Sequence, residues 1–389
     1  MKRMSILLSL LFFSLFTATW LQAQSQVKKL PQIVTFDPPG SGTGAYQGTN
    51  VAAINPSGLI TGWYIDDNNQ SWGFLRTASG TITTFSVPNA GTGINLGTGP
   101  SAINPQGTTA GYYVDANCFP HGFIRTAAGK TMEIDAPGAG TSPGGCFNFD
   151  PLGTQGTIVW DINAAGETAG VVQDANDILH AFVRSANGQI TVFDAPGAST
   201  DLFRGTFPVM GTGLNSAGTV VGPFYDPNNA YHGWLRMRDG TITTFDAPGA
   251  GTDAFQGTYP LSINTAGQIV GTYMDINSVQ HGFVRSPNGA IKTIDVPGCG
   301  TEAGQGTSVN VNNDAGIMAG TCTDINNIFH AFVRTAQGKI TAFDAPGAGT
   351  DAYEGTFPIG ITPNGEIVGI YIDSNYAYHG FVRAADPCD

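Results

Sequence analysis

Positive charge is scarce in this chain of 389 residues. It has 16 Lys and Arg residues against 29 Asp and Glu residues, and its formal net charge is -13. No run of basic residues is longer than two. Phosphate backbones and anionic membranes are bound mainly through clustered Lys and Arg. We therefore expect neither nucleic acid nor an anionic membrane as a partner.

Cysteine is also scarce, with five residues in the whole chain. So few cysteines can supplement a hydrophobic core but cannot serve as its framework. None of them forms a CxxC pair, so we predict no zinc site and no other metal centre. The candidate disulfides join Cys118 to Cys146 and Cys299 to Cys322, which leaves Cys388 single.

A long apolar run occurs only near the N-terminus. The opening MKRMSILLSLLFFSLFTATWLQA has two basic residues, an apolar stretch and a small residue, Ala23, suited to cleavage. This pattern predicts a signal peptide at 1–23, then a short linker at 24–30. We expect a secreted or periplasmic protein with no membrane span after cleavage. The alternative is an uncleaved anchor, although the apolar run is short for a span.

A motif, H-[GA]-[FW]-[VIL]-R, repeats along the chain. Its arginines are Arg76, Arg125, Arg184, Arg236, Arg285, Arg334 and Arg383. Their successive spacings are 49, 59, 52, 49, 49 and 49 residues. Seven copies therefore account for 31–383, which leaves 384–389 as a C-terminal tail, and they predict a repeat architecture.

Each copy contains four short runs of β-branched and aromatic residues, separated by Gly, Asn and Pro turns. Such a unit cannot bury both faces of its sheet alone, so neighbouring units must cover it. We predict an all-β fold, a seven-bladed β-propeller of four-stranded antiparallel blades. The N-terminal LPQIVTFDP matches only a fourth strand, and the C-terminal copy lacks one. We expect these two segments to pair and close the ring of a monomer.

Histidine and aspartate recur together in the repeat. In five copies an aspartate follows the histidine by 14 positions, and counting back along the hairpin places the two side chains opposite each other. The predicted pairs are His121–Asp135, His180–Asp194, His232–Asp246, His281–Asp295, His330–Asp344 and, across the ring closure, His379–Asp37. The first copy has Trp72 and Ser86 instead. General-base catalysis does not need six copies, so we interpret the pairs as structural and predict no catalytic residue.

The pentapeptides HAFVR at 180–184 and 330–334, and HGFVR in other copies, resemble the bacterial extracellular HAF repeat. The resemblance extends over all seven copies. It implies export and a repeated β fold, and it brings no established activity or catalytic residue.

One face of the predicted propeller should be rich in loops, acidic and studded with aromatic residues such as Phe203, Phe255 and Tyr353. The loop between the second and third strands carries an aspartate in every copy: Asp66, Asp115, Asp174, Asp226, Asp275, Asp324 and Asp373. We interpret these as Asx turns, with calcium ligation as the weaker alternative and no other cofactor. Features that break the repeat are candidates for binding: the insertion 142–155, with Phe147, Phe149 and Asp150, the insertion at Met210–Thr212, and Arg204.

Three functions remain open. The first is an exported, non-enzymatic protein that binds a glycan or a protein, or acts as a scaffold, through the loop-rich face. The second is a propeller enzyme, a lyase or hydrolase, acting at the channel mouth. The third is a structural protein of the cell envelope. A pocket lined by residues that break the repeat would favour a small ligand or an enzyme.

Overall fold

The computed structural model describes residues 31–142 and 154–386. The predicted signal peptide, most of the insertion at 142–155, and Cys388 lie outside the described residues. Within the described ranges the regular structure consists of 27 β-strands, and no helix there is long and apolar enough to span a membrane. The prediction of an all-β chain is confirmed.

The strands fall into units of antiparallel neighbours that follow the repeat. Unit 1 contains β2 (Gly48–Ile54), β3 (Ile60–Ile65), β4 (Ser71–Arg76) and β5 (Ile82–Phe85). Unit 2 contains β6 (Gly97–Ile103), β7 (Thr109–Val114), β8 (Pro120–Arg125) and β9 (Thr131–Ile134). Unit 3 contains β10 (Gly156–Ile162), β11 (Thr168–Gln173), β12 (Leu179–Arg184) and β13 (Ile190–Phe193).

Units 4 to 7 continue the series. Unit 4 contains β14 (Val220–Tyr225), β15 (Tyr231–Arg236) and β16 (Ile242–Phe245). Unit 5 contains β17 (Gly257–Ile263), β18 (Ile269–Met274), β19 (Gln280–Arg285) and β20 (Ile291–Ile294). Unit 6 contains β21 (Gly306–Asn312), β22 (Met318–Thr323), β23 (Phe329–Arg334) and β24 (Ile340–Phe343). Unit 7 contains β25 (Gly355–Ile361), β26 (Ile367–Ile372) and β27 (Tyr378–Arg383).

The fourth strand of unit 7 comes from the other end of the chain. Strand β1 (Ile33–Phe36) pairs antiparallel with β27, and Val34 lies opposite Val382. The same register brings Asp37 to His379, whose Nδ1 atom is 2.8 Å from a carboxylate oxygen. Residues separated by 342 positions therefore share one sheet.

The strand that carries the repeated motif, which is the third strand of a complete unit and β15 in unit 4, supplies a fully buried aromatic ring from that motif. These residues are Phe74, Phe123, Phe182, Trp234, Phe283, Phe332 and Phe381. Burying a side chain of this size stabilises the fold by about 1.5–3 kcal/mol. The motif therefore repeats because each unit needs this ring in its core.

The hydrophobic core is made between units as well as within them. One cluster joins Val51 and Phe74 of unit 1 to Val368 and Val382 of unit 7, and other clusters join consecutive units. Motif arginines add to the same junctions, because the guanidinium of one unit lies over a fourth-strand phenylalanine of the preceding unit. These contacts join Arg76 to Phe36, Arg125 to Phe85, Arg236 to Phe193, Arg285 to Phe245, and Arg383 to Phe343.

Unit 4 differs from the predicted four regular strands. In place of its first strand, the chain from 205 to 214 is irregular and makes isolated bridges, Thr206 with Phe224 and Leu214 with Val220. The repeat here is three residues longer than the usual spacing, 52 against 49, and the added residues displace the strand from its register.

The added residues of unit 4 reach the first strands of four other units. Gly211 N–H donates to the Trp160 carbonyl of unit 3 at 2.9 Å, and Thr212 Oγ1 donates to the Leu261 carbonyl of unit 5 at 2.6 Å. A side chain on Gly211 would lie 3.0 Å from the Ser101 carbonyl oxygen and 3.1 Å from that of Ala52. Glycine is needed there because φ is 76° and the space is taken.

Asparagine side chains connect the turns between first and second strands of successive units. Each side-chain amide donates to the backbone carbonyl of the equivalent residue in the next unit, at 3.0–3.3 Å. The series runs Asn55, Asn104, Asn163, Asn215, Asn264, Asn313 and Thr362. The asparagine oxygens accept N–H groups of their own turns. One residue type therefore both shapes the turn and joins the units.

A pair of substitutions at Asn264 separates these two roles. Asn264→Thr copies Thr362, whose hydroxyl accepts the turn N–H of Glu366 at 3.0 Å. Threonine has no side-chain amide, so it cannot donate the hydrogen bond that joins one unit to the next. We expect Asn264→Thr to lower the free energy of unfolding by about 1 kcal/mol, and Asn264→Ala by about 2–3 kcal/mol, because it also leaves buried groups unpaired. Urea denaturation measures the free energy of unfolding of the parent and of both variants. Equal stability of parent and Asn264→Thr would show that the bond between units contributes nothing.

Candidate functional site

Each described histidine lies between two aspartates. In unit 5, His281 Nδ1 is 2.9 Å from Asp295, and its Nε2 is 3.7 Å from the loop residue Asp275. Across the six predicted pairs the Nδ1–carboxylate distance is 2.8–3.0 Å. The structure thus brings together every histidine and aspartate that the sequence placed opposite each other. The loop aspartate is a second partner that the spacing alone did not indicate.

These contacts favour the charged imidazole in several units. The hydrogen bond that His121 donates to Asp135 raises the pKa of His121 above its usual value, and the bond that His379 donates to Asp37 does the same for His379. The pKa values of His180 and His232 are raised by their aspartates in the same way. The stability from these charged rings is therefore complete below pH 6.5 and is lost as the pH rises through the raised values.

Unit 1 keeps the contact with a different ring. Trp72 Nε1 donates to the loop carboxylate of Asp66 at 3.1 Å, in the place of a histidine Nε2. Ser86, which replaces the second aspartate, lies 3.2 Å from the Thr98 hydroxyl. The unit therefore retains its strand-to-loop contact without an ionisable pair, which fits a structural role for the other pairs.

The loop aspartates close their own loops. In unit 3, Asp174 Oδ1 accepts the N–H groups of Asn176 and Ile178 at 2.8 and 2.9 Å, and Oδ2 accepts the Asn176 amide. Burial would raise the pKa of Asp174, but these hydrogen bonds outweigh it and lower the pKa below its usual value. Asp66, Asp115, Asp226, Asp275, Asp324 and Asp373 accept backbone N–H groups in the same pattern. This is the geometry of the Asx turn.

Exposed apolar residues lie on the loops that enter each unit. Phe203, Phe255 and Tyr353 are 39%, 53% and 62% exposed, and Tyr46 is 66% exposed. The N–H of each donates at 2.8 Å to a carbonyl in the loop of the preceding unit, as from Phe255 to Asn229. The face is therefore a set of connected loops with apolar tips.

Of the side chains that were predicted to break the repeat and to bind a ligand, Arg204 lies within the described residues. Arg204 lies 4.7 Å over the ring of Tyr225 and donates to the Asn229 side chain. Tyr225 in turn contacts the Tyr231 hydroxyl at 2.8 Å, so Arg204 covers an aromatic cluster. Phe147, Phe149 and Asp150 lie outside the described residues.

One predicted disulfide is present among the described residues. Cys299 and Cys322 are bonded, with their Cα atoms 5.3 Å apart. Cys118 is also disulfide-bonded. Its predicted partner, Cys146, lies outside the described residues.

A cavity of about 880 Å³ opens on the loop-rich face between units 7, 1 and 2. Aromatic rings of Tyr46, Trp63 and Tyr378 line it. The amide side chains of Asn50, Asn69 and Asn95, with Ala45, Ile65, Ile94 and Ile370, complete the wall. Sequence reasoning missed this site. The available signal was Trp63, because the matching position is Tyr112, Val171, Pro223, Thr272, Thr321 or Ile370 in the other units.

A second cavity, of about 270 Å³, lies where the ends of the first strands meet. Apolar residues of every unit line it: Ile54, Ile103, Ile162, Leu214, Ile263, Val311 and Ile361. The added residues Gly211 and Thr212 of unit 4 also line it.

Asp161 is a buried carboxylate that the sequence analysis did not single out. Its oxygens accept the N–H groups of Leu214 and Ile162, both at 2.7 Å. Burial raises the pKa of Asp161 to about 7, although hydrogen bonds from Leu214, Ile162 and Gly213 oppose the rise. It therefore accepts backbone N–H groups at the end of the irregular segment of unit 4, where no regular first strand is present.

Comparison with known proteins shows a similarity of fold to solved structures. No family model matches the sequence, and no curated protein matches it. A lectin from Burkholderia pseudomallei is similar in structure, with 11% identity and a TM-score of 0.51, over 87% of this chain and 97% of that chain. AofleA from Arthrobotrys oligospora is 14% identical over 82% of this chain and 91% of that chain, with a TM-score of 0.42. A puromycin hydrolase is 13% identical over 87% of this chain and 53% of that chain, with a TM-score of 0.45. The lectin shows that the fold is β-propeller-like.

The buried carboxylate predicts a specific dependence of stability on pH. The folded protein holds a proton on Asp161 up to about pH 7, whereas the unfolded chain releases it near pH 4. Unfolding therefore becomes easier as the pH rises between these values. Asp161→Asn stays neutral, so its stability relative to the parent should increase by about 2 kcal/mol from pH 5 to pH 7. Thermal and urea unfolding of the parent and Asp161→Asn at both pH values measure this change. The same stability difference between the two proteins at pH 5 and pH 7 would contradict a raised pKa of Asp161.

Proposed function

We propose that this chain is an exported, non-enzymatic binding protein, a seven-bladed β-propeller that holds a neutral saccharide in the cavity of its loop-rich face. The observation that carries the proposal is the cavity at Trp63, where aromatic rings and amide groups meet. Export rests on the N-terminal sequence pattern.

Contacts between the first and last units support a closed ring of seven blades. Strand β1 completes unit 7, and the cluster of Val51 and Val382 joins unit 7 to unit 1. Carbonyls of Ala52, Ser101 and Trp160 surround Gly211, a residue of unit 4. First strands of units 1, 2 and 3 can all approach unit 4 in this way when the units stand around one axis. The likeness to the lectin supports the same architecture.

The chemistry of the cavity wall supports a neutral polar ligand with apolar patches. Among the described residues that line it, none is charged at neutral pH. The ring faces of Tyr46, Trp63 and Tyr378 offer flat apolar contact, and their O–H and N–H groups can form hydrogen bonds. Amide groups both donate and accept hydrogen bonds, as sugar hydroxyl groups do. A saccharide presents C–H faces and hydroxyl edges together, so it matches both parts of the wall.

Rigid support also favours binding at this cavity. Trp63 lies in β3, opposite Asn50 of β2, so both are held by the sheet. Tyr46 N–H donates to the Tyr376 carbonyl at 2.8 Å, which fixes its loop to unit 7. A site held by strands and connected loops loses little conformational entropy when it binds.

Removing the tryptophan ring tests the proposal. An array of neutral oligosaccharides probed with the mature protein should give binders, and the best of them is then titrated by calorimetry. Trp63→Ala should weaken its binding roughly tenfold, a loss of about 1.4 kcal/mol of stacking contact.

The matched control is Thr272→Ala, at the same strand position in unit 5, which should leave the affinity unchanged. An array without binders, or equal affinity of parent and Trp63→Ala, would reject this cavity as a saccharide site.

A further inference from the structure

A cluster of three metal-ligating side chains lies at the outer edge of unit 2, away from the saccharide cavity. Donor atoms of His121, Glu133 and Asp135 are all within 4.8 Å of one another. His121 is half-buried in β8, whereas Glu133 and Asp135 are exposed at the end of β9. Residues two apart in a strand point to the same side, which brings both carboxylates to the imidazole.

Glu133 is the residue that makes this unit different. At the same position, two before the paired aspartate or Ser86, the other units have Thr35, Thr84, Val192, Thr244, Thr293 and Ala342. The His–Asp pair itself recurs around the molecule, so its structural role does not need a third ligand. Unit 2 therefore adds a carboxylate to an arrangement that is already stable without it.

Unit 5 shows the contact made at the position of Glu133 when the residue there is uncharged. There Tyr273 stacks on His281, and its hydroxyl lies 3.2 Å from the Thr293 hydroxyl. In unit 2 the equivalent Tyr113 stacks on His121 and its hydroxyl donates to Glu133. A threonine is thus enough to satisfy the tyrosine, and the glutamate brings a charge beyond that need.

We propose that His121, Glu133 and Asp135 bind a divalent transition-metal ion of the Zn²⁺ type. Imidazole nitrogen and carboxylate oxygen are both ligand types that such ions accept, so this cluster offers three donors of suitable chemistry. The metal would take the place of the proton now held between His121 Nδ1 and Asp135 Oδ1, which are 2.9 Å apart. Both carboxylates are exposed, so small rotations bring their oxygens to ligand distance.

The surroundings of the imidazole favour this role. His121 Nε2 points to Asp115 Oδ2 at 4.0 Å, and that carboxylate is fixed by the N–H groups of Asn117 and Phe119. A ligating histidine usually donates its second N–H to a carboxylate, which orients the ring and raises its basicity. The recurring loop aspartate therefore places a fixed carboxylate near the second imidazole nitrogen of this cluster, at 4.0 Å, which is beyond hydrogen-bond distance.

Space for further ligands lies beside the cluster. A cavity of about 300 Å³ is lined by His121 and Asp135 with Phe119, Pro120 and the glycine-rich turn at 138–140. An ion with three protein ligands keeps open positions for water or another small ligand. The proposal does not depend on saccharide binding, since the cavity at Trp63 shares no residue with it.

The repeat itself provides the test. Zn²⁺ titrated by calorimetry into the chelator-treated mature protein at pH 7.5 should bind in one saturable step. Glu133→Thr, which copies unit 5, should weaken this step roughly 100-fold. Thr293→Glu, which copies unit 2 into unit 5, should add a second equivalent of bound Zn²⁺. All variants keep the same cysteines and the same His–Asp pairs, so binding to those groups cancels in the comparison.

Absence of a saturable step, or equal affinity in the parent and Glu133→Thr, would overturn the proposal. So would a Thr293→Glu variant that binds no additional ion. Circular dichroism melting of the three proteins should show the same fold, because position 133 is exposed and threonine serves at the equivalent position of unit 5. The effect of each substitution is then on the ion and not on folding.

Discussion

Packing between neighbouring sheets is the constraint on which the rest of this molecule depends. Each unit has four short strands at most, and the strand with the repeated motif carries a large apolar ring that is fully buried, such as Phe283. Burial of that ring requires residues from an adjacent unit, as in the cluster that joins Val270 to Val309. An end unit with one bare face would expose such clusters to water. Our proposal of a ring follows, because a ring leaves no end unit.

Polar groups then set the register of the sheets on both faces. On one face, asparagine amides such as Asn264 bond each turn to the next at about 3.1 Å. On the other face, loop carboxylates such as Asp275 close their loops and face a histidine that is paired with a strand-end aspartate. Repeated hydrogen bonds of this kind hold the loops in fixed positions. The residues that break the repeat, Trp63 and Glu133, are therefore displayed on a rigid support.

Periodicity made the regular part of this structure predictable from the sequence. Strand alternation and turn residues gave the four-stranded unit, and a count along the hairpin gave His281 opposite Asp295. Both depend on local geometry within one hairpin, which the sequence records directly. The pairing of β1 with β27 was also accessible, because the incomplete first and last copies complement each other.

Contacts between units were not predictable in the same way. The displaced first strand of unit 4, and the approach of Gly211 to carbonyls of units 1 and 2, depend on how three extra residues are accommodated in a crowded centre. The cavity at Trp63 combines residues of units 7, 1 and 2 that are distant in sequence. Glu133 appears unremarkable in a strand until His121 is placed beside it. Such sites arise from departures from the repeat, which become meaningful only when neighbouring units are positioned.

The pairing of the first described strand with the last is the most direct point at which to test the closed ring. Hydrogen exchange of the mature protein, followed by mass spectrometry of its peptides, reports the protection of the backbone amides in 33–36. If β1 completes unit 7, these amides should exchange as slowly as those of β20, the fourth strand of unit 5, and should be released together with β27 as urea is added. Exchange of 33–36 at the rate of an unpaired peptide, while β20 stays protected, would contradict the closed ring.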